Sequence, residues 1–531
     1  MSFRKRYMIV TNPDVGQTSP LLALTEELAL RDNQVVFVSG ASALKRVQRS
    51  QRALGFPVQM DAQPSIVQLQ TYPIAFFSLG ESLLLSYLDQ ALIQPERFHR
   101  QCRRPPGEIM SFIELYIDLV NDSSDEYRDL VWRVRDLVEQ VDPDLLVVDN
   151  FSPFAVDGIR LTKRPFIETA PGAVSSVASH IHVLQQPLPM RGGRSSSIGF
   201  VGLLSNLYFI VRWLLFVFFH AWSKRRRAFR HEVLGLTDVP VLDDAMFPPP
   251  PGKLPQHIAS ITFNVEGMDI YPASAYERSV FFVGPCFAPS QRHMPPGVTL
   301  HALPPSAPAV SDAQMDDPVK LWLDEAHAQG RRVLYINMGS IFFYMRRDYD
   351  HILACLERLH KRFPTLLVLW KIPDHPQRIQ PVPTADEAVL PSYIRRESWL
   401  PSIHNVLSHP AVAVIMHHGG GNSYNESIAY GVPQFCVSQW VDTHDIGLYV
   451  QNSGVGLWAD KSPEFDPDDM YAKLSRMIID EGHTFRHTAL AWRIKALQAG
   501  GTARSADIIE TYASSYTFEQ GSSKGPVAQS H

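Results

Sequence analysis

Cysteine is scarce in this chain: four among 531 residues, at Cys102, Cys286, Cys355 and Cys436, with no CxxC pair. That excludes a disulfide framework and a thiolate metal site. Charge of one sign is also missing. With 49 basic against 54 acidic residues, nothing draws the chain toward nucleic acid, and no nucleic-acid partner is expected. No short-period repeat is present, which sets aside solenoids and propellers. The first residues, MSFRKRYMIVTNPDVG, hold too few consecutive apolar positions for a secretory leader but enough for a first strand. A reducing, cytoplasmic setting is the expectation. Five histidines lie between His404 and His444, but none has the i, i+4 helical or Cys-paired spacing of a zinc site, so no metal is expected.

What is present is an enzyme-sized globular composition, 45% hydrophobic, in a chain too long for a single core. Tyr7–Thr11 reads as a strand, and Asn12–Ser19 as a loop. From Pro20 the stretch LLALTEELALRD carries leucines at helical spacing, with the proline suited to a first turn. Val35–Ser39 completes a βαβ unit, and Ile66–Leu69 is expected as a third strand. A long helical region runs from about Ile109 to Gln140, before the apolar strand Leu145–Asp149. Val280–Gly284 is a further strand. Pro285–Ala313, dense in proline, reads as a linker. A second series follows: helix Val319–Gln329, strand RRVLYIN ending at Gly339-Ser340, helix Tyr349–Phe363 and strand Leu366–Lys371. Met470–Ser515 is helical in pattern.

Residues 198–222, IGFVGLLSNLYFIVRWLLFVFFHAW, form the most hydrophobic stretch and precede Lys224–Arg227. Three placements are open: a buried or acceptor-lining helix, a segment lying in a membrane interface, or a span. Arg212 in its middle argues against the span.

The most specific stretch runs from Trp399 to Asp445. The apolar run Ala411–Met416 leads through His417 and His418 into Gly419, Gly420 and Gly421. A helix then follows, which Asn422 or Ser423 is placed to cap, and which Gly431 and Pro433 end. Strand, glycine loop and helix N-terminus together make an anion site. Glu426 falls one turn along, on the face of Asn422, where a carboxylate can accept hydrogen bonds from ribose hydroxyls.

This stretch resembles the nucleotide-sugar signature of UDP-dependent glycosyltransferases. Its anchors are Trp399-Leu400-Pro401, His409-Pro410, His418-x-Gly420-x-Asn422-Ser423-x-x-Glu426, Gly431-Val432-Pro433 and Asp442. The ending Trp440-Val-Asp442-Thr443-His-Asp445 is similar to the fungal UDP-glucosyl/glucuronosyltransferase-like branch. The resemblance implies an α/β protein of GT-B architecture, two doubly wound Rossmann-like domains facing each other across a cleft. The implied divisions are an acceptor-binding domain at 1–285, a linker at 286–315 and a UDP-sugar domain at 316–495. A helix at 496–517 would return to the first domain, and 518–531 would be a disordered tail. It also implies a UDP-sugar donor, UDP-glucose by default, and no metal. Trp399 would stack on uracil, with the backbone of Leu400 pairing with the base edge. His418, Gly420, Asn422, Ser423 and Ser340 would face the diphosphate, Glu426 the ribose, and Asp442 with Thr443 the sugar. Thr443 stands where plant relatives place Gln, Gly421 where they place Trp, and Ser402 where they place Gln, so the sugar itself is open.

The acceptor half departs from the pattern. The family's histidine base belongs to a Gly-His-x-x-Pro motif, which here reads Gly16-Gln17-Thr18-Ser19-Pro20. An amide has no useful basic form. The aspartate that orients the base corresponds to Asp149. Three readings follow: another base, from Asp14, Asp149, His180 or His182; an acceptor acidic enough to react without one, since losing a base otherwise costs about 10²–10⁴-fold; or a pocket that no longer transfers sugar and binds or converts a metabolite. The expected activity is inverting transfer from a UDP-sugar to a lipophilic small molecule, with a membrane surface as possible partner through 198–227.

Overall fold

Apolar runs without alternation suit strands covered on both faces, and they build two wholly parallel sheets. The computed structural model describes residues 3–82, 125–182, 184–186, 199–238, 252–290, 317–339, 342, 344, 346–373, 390–439, 441–460 and 465–522. Ser340, residues 109–124 of the long helical region, most of the proline-rich stretch and 523–531 fall outside them.

The first sheet contains β1 (Arg6–Val10), β2 (Gln34–Ser39), β3 (Ile74–Ser78), β4 (Leu145–Asp149), β5 (Phe166–Ala170), β6 (His257–Thr262) and β7 (Val280–Phe282). Their spatial order is β3-β2-β1-β4-β5-β6-β7. The second contains β8 (Arg332–Asn337), β9 (Leu366–Lys371), β10 (Ile394–Glu397), β11 (Val412–His417), β12 (Gln434–Ser438) and β13 (Gly456–Asp460), in the order β10-β9-β8-β11-β12-β13. Strand order reverses between β1 and β4, and again between β8 and β11. Beside such a reversal the connecting helices leave on opposite faces, which opens a crevice at the carboxyl ends. Topology alone therefore singles out Thr11, Asn12 and Asn150 in one sheet, and Gly339 and His418 in the other.

Two local expectations are corrected. Ile66–Leu69 is a single helical turn, not a strand. Ser65 Oγ accepts the Gln68 N–H, and Gln68 Oε1 accepts the Ser65 N–H at 2.8 Å, a capping box that outweighs a four-residue apolar run. The strand in that place is β3. The first helix begins at Val15 rather than Pro20, with Asp14 at its N-cap. Thr18 sends both its N–H (2.9 Å) and its hydroxyl (3.0 Å) to the Asp14 carbonyl, which winds the presumed loop into helix. Pro20 then lies inside and removes one backbone bond. Gln17 consequently sits in the first helical turn.

The last helix, Gly501–Ser522, packs on the first sheet's side. Ala506, Ile508, Ile509 and Ala513 share a core with Tyr7, Ile9, Leu24 and Leu28. Arg31 ties it down through Asp507 (2.7 Å) and Glu510 (2.9 Å) while also pairing with buried Glu27 (2.8 Å). The helix passes through 518–522, where a disordered tail was expected; no proline stops it.

A core cluster joins the two sheets' domains directly. Ala173, Val174, Val177 and Met268 meet Tyr424, Ile428, Ile446 and Tyr449. By contrast, the apolar helix Phe200–Phe219 is not buried. Among its described residues only Asn206, Phe216 and Val217 are buried, while Phe200, Val201, Tyr208 and Phe219 are 75, 78, 61 and 70% exposed. Arg212 lies on the exposed side and donates to Tyr208 Oη at 2.6 Å. The reading of this stretch as a buried helix is corrected: Phe216 and Val217, near its end, are what enter the core.

Candidate functional site

At the second switch point β11 ends in His417, and the two histidines separate by strand alternation. His417 is buried: its Nδ1 accepts the Gly419 N–H at 3.0 Å and its Nε2 lies 2.9 Å from Gln434 Oε1. His418 lies between two backbones. A Cβ at Gly339 would come within 2.4 Å of its Cε1, and one at Gly420 within 2.5 Å. Gly339 also has φ +78°, so glycine there is needed for space and for conformation alike. Burial, with His417 and Lys371 adding to it, pushes the His418 imidazole down to about 3 and keeps it neutral.

The helix Gly421–Tyr430 starts after Gly420, which is its N-cap; neither Asn422 nor Ser423 caps it. The glycine turn places the cap two residues before Asn422, which puts both side chains inside the helix. Ser423 instead lies 3.5 Å from Asn337 Nδ2 at the end of β8, and Asn422 Nδ2 donates to the Val15 carbonyl (3.4 Å) in the first domain. A helix with no side-chain cap keeps its first-turn amides for an anion. Asn422 also brings the start of the Gln17 helix to this cradle.

Glu426 stands one turn in. Burial pushes its carboxyl up to about 7, and Lys371 opposes the shift. Lys371 was not among the expected site residues. It ends β9, and its Nζ lies 4.6 Å from the ring centroid of Trp399. Trp399 is 63% exposed, while Leu400 turns into the core. The signal for Lys371 in the sequence was only a cation at a strand's carboxyl end.

Asp442 begins the helix Val441–Asn452 and crosses to the first domain. Its carboxylate accepts the Ala173 N–H, and burial pushes it up to about 6. The adjacent loop also explains Gly421: a Cβ there would lie 2.2 Å from the Pro171 carbonyl. Asp445 accepts the Ser175 hydroxyl at 2.6 Å. Thr443 is buried, and its hydroxyl accepts the Gln439 N–H at 3.1 Å.

At the first sheet's switch point, Asp149 ends β4 and is fully buried. Its carboxylate accepts from Thr11 Oγ1 (3.2 Å), Asn12 Nδ2 (3.4 Å), Ser152 Oγ (3.2 Å) and the Phe151 N–H (3.2 Å). Burial still pushes it up to about 7. Gln17 is not among these donors, and its Oε1 has no hydrogen-bond partner among the described residues. Asp14 is buried beside Arg46, whose guanidinium feels its charge. His180 Nε2 lies 2.7 Å from Glu277 Oε1, with 55% of the His180 side chain exposed. Among the described residues no group of three or more His, Cys, Asp or Glu is arranged to hold a metal ion.

Two parallel α/β sheets of seven and six strands, meeting at their switch points, form the GT-B fold. In sequence the chain is similar to UDP-glycosyltransferases. Residues 379–499 match the family described as erythromycin biosynthesis protein CIII-like, C-terminal domain. The chain is 27% identical to erythritol-mannosyl-transferase 1 of Pseudozyma antarctica (strain T-34), over 95% of this chain and 91% of that protein. The Mycosarcoma maydis protein of the same name is similar to the same degree. Flavonol 3-O-glucosyltransferase F3GT2 of Actinidia chinensis var. chinensis is 29% identical over 39% of this chain and 43% of its own. In fold, the glycotransferase of kitacinnamycin aligns with TM-score 0.59 at 15% identity, covering 96% of this chain and 98% of its own. CalG4, the calicheamicin glycosyltransferase, aligns with TM-score 0.55 at 16% identity, covering 97% and 100%.

Proposed function

We propose that this protein transfers a hexose from a UDP-sugar to a small-molecule acceptor, with inversion at the anomeric carbon. The observation that carries the reading is the cradle around His418: a neutral imidazole held between Gly339 and Gly420 at an uncapped helix N-terminus. Glu426 lies one turn along for ribose, Trp399 is exposed for the base and Asp442 is placed for the sugar. Asn422 and Ser423 complete the phosphate side, and Ser340 is assigned there by the family resemblance.

Deprotonation of the acceptor is not the work of Gln17, and Asp149 is too enclosed to reach a substrate. His180, exposed and paired with Glu277, is the base this reading favours, because a carboxylate hydrogen-bonded to an imidazole fixes the orientation of its ring. The acceptor we infer is lipophilic. The exposed apolar face of Phe200–Phe219, followed by exposed Lys224 and Arg225, supports a cytoplasmic enzyme resting on a membrane surface. A second reading, transfer of mannose to a polyol, is favoured by the near full-length similarity to erythritol-mannosyl-transferases.

Calorimetry with UDP, GDP and their sugar conjugates tests the donor, and product mass from a panel of sterols, phenols, carboxylic acids and polyols tests the acceptor. UDP binding that weakens at least tenfold in His418→Ala supports the reading; binding of GDP alone, or of neither nucleotide, rejects it. UDP binding without transfer to any acceptor would instead support a protein that binds or converts a metabolite by other chemistry.

A further inference from the structure

The nucleotide end of the cradle contains a charge that the family signature does not include. Lys371 lies outside the Trp399–Asp445 stretch, yet parallel pairing puts it there. Its register partners are Asn337 in β8 and Glu397 in β10, so it shares the sheet's carboxyl edge with the switch point on one side and the approach to Trp399 on the other. The ammonium lies over the Trp399 ring at 4.6 Å, and neither hydrogen bond nor ion pair ties it to another described residue. Burial lowers its pKa from the ordinary lysine value, and Glu426 opposes that shift. The stem is half-buried, so the charge is held in place rather than free to sweep through solvent.

Glu426 likewise has no hydrogen-bond donor among the described residues, and it faces groups that do not help it ionise. Tyr335 from β8 and Tyr430 from its own helix both have pKa values raised by burial and by the Glu426 charge. His418, on the loop before the helix, is neutral. Lys371 is therefore the cation acting on this carboxylate.

We propose that Lys371 is a positioning residue for the nucleoside end of the donor, lending its positive charge to Glu426, which receives the ribose hydroxyls, while bracing Trp399 as the platform for the base. This rests on the UDP-sugar reading above. A carboxylate accepts from both hydroxyls of a diol, whereas the protonated acid must spend one oxygen as a donor. The cation–π contact fixes the ring, at about 0.5–1 kcal/mol for an exposed pair, and leaves a largely exposed surface for stacking. The signature's glutamate and tryptophan are thus supported by a residue that lies before the signature begins.

The experiment measures UDP and 2′-deoxy-UDP affinity by calorimetry from about pH 6 to pH 8.5 for wild type, Lys371→Met, Lys371→Arg and Glu426→Gln. Comparing variants at each pH cancels the ligand's own protonation. In Lys371→Met the Glu426 carboxyl should ionise about one pH unit later, so UDP binds roughly tenfold more weakly near neutrality. Affinity should recover at the alkaline end, while 2′-deoxy-UDP changes much less. Lys371→Arg should behave like wild type, and Glu426→Gln should show neither the pH dependence nor the ribose discrimination. Equal weakening of both ligands at every pH would overturn the proposal, because it would reduce Lys371 to a fold or bulk-charge contribution. Unchanged binding in Lys371→Met would overturn it as well, while leaving the donor site intact. Failure of wild type to bind UDP would remove both this proposal and the reading beneath it.

Discussion

Gly172→Ala is the sharpest test of the proposal that Asp442, held by the first domain, reads the donor sugar. The glycine follows β5, and a Cβ built there lies 2.6 Å from Asp442 Oδ2, whereas its next contacts, Asp442 Cγ and Phe151 Cε2, are both at 3.6 Å. One carboxylate oxygen is thus the sole tight obstruction. To restore an ordinary contact, Asp442 must withdraw by roughly half an ångström or more, or the Pro171–Ala173 loop must lift away. Either movement breaks the Ala173 N–H bond to the carboxylate, a charged hydrogen bond of about 1.5–3 kcal/mol. A carboxylate displaced by that much meets sugar hydroxyls poorly, so the sugar-dependent part of donor affinity should fall roughly ten- to a hundredfold. The diphosphate cradle around His418 is built from other backbone and should be unaffected. Calorimetry should therefore show UDP bound as in wild type and the UDP-sugar bound no better than UDP, with kcat/KM for transfer reduced at least as much. If UDP and UDP-sugar weaken by the same factor, or neither changes, Asp442 does not read the sugar.

His180→Ala and Glu277→Gln should each reduce kcat by about 10²-fold or more without changing UDP affinity; wild-type turnover in both would remove His180 as the base. Burial pushes the Asp149 carboxyl up to about 7 in the folded chain, from an ordinary aspartate value of 3.8. A raised acid contributes stability that is complete below the unfolded value and is lost as pH rises through the folded one. Denaturant unfolding should therefore show wild type losing stability relative to Asp149→Asn between about pH 4 and pH 7, then running parallel to it; the opposite slope refutes the assignment. Arg31→Ala leaves Glu27 buried without its partner and frees the final helix, so it should cost about 3 kcal/mol and raise hydrogen exchange across 501–522. If vesicles of anionic lipid retain wild type but release a variant with Val201, Leu204 and Tyr208 changed to serine, the membrane reading stands; equal retention removes it.

The donor half was legible because its chemistry is contiguous. Strand, glycines and helix follow one another within β11 and Gly421–Tyr430, so spacing alone reports which groups converge, and the turn of Glu426 onto the Asn422 face needs no tertiary knowledge. Even there the cap reading missed by two residues: Gly420, not Asn422, is the cap, and the bare backbone that His418 needs on its other side comes from Gly339, about eighty positions away. Lys371 was invisible for the same reason. Its place beside Trp399 exists only through the register of β9 with β8 and β10. Tertiary packing also decided Phe200–Phe219, whose composition fits burial, an interface or a span equally well, and whose exposure is set by what the neighbouring elements leave uncovered.

The acceptor half is dispersed, and there the motif misleads by suggesting a dyad between positions 17 and 149. The structure makes Asp149 the hub of Thr11, Asn12 and Ser152 instead, and winds Gln17 into a helical turn with no hydrogen bond to any of them. An aspartate satisfied by four donors of its own has a structural reason to persist without a histidine to orient. Its retention beside Gln17 therefore says nothing about whether the ancestral base was lost with activity or replaced. What bears on that choice is Asn422, which reaches the Val15 carbonyl and holds the Gln17 turn against the phosphate cradle. A protein that had abandoned transfer would have no need to keep its acceptor loop fastened to its donor site. Asn422→Ala should thus lower kcat more than it weakens UDP binding, and an effect confined to binding would favour the metabolite-binding alternative.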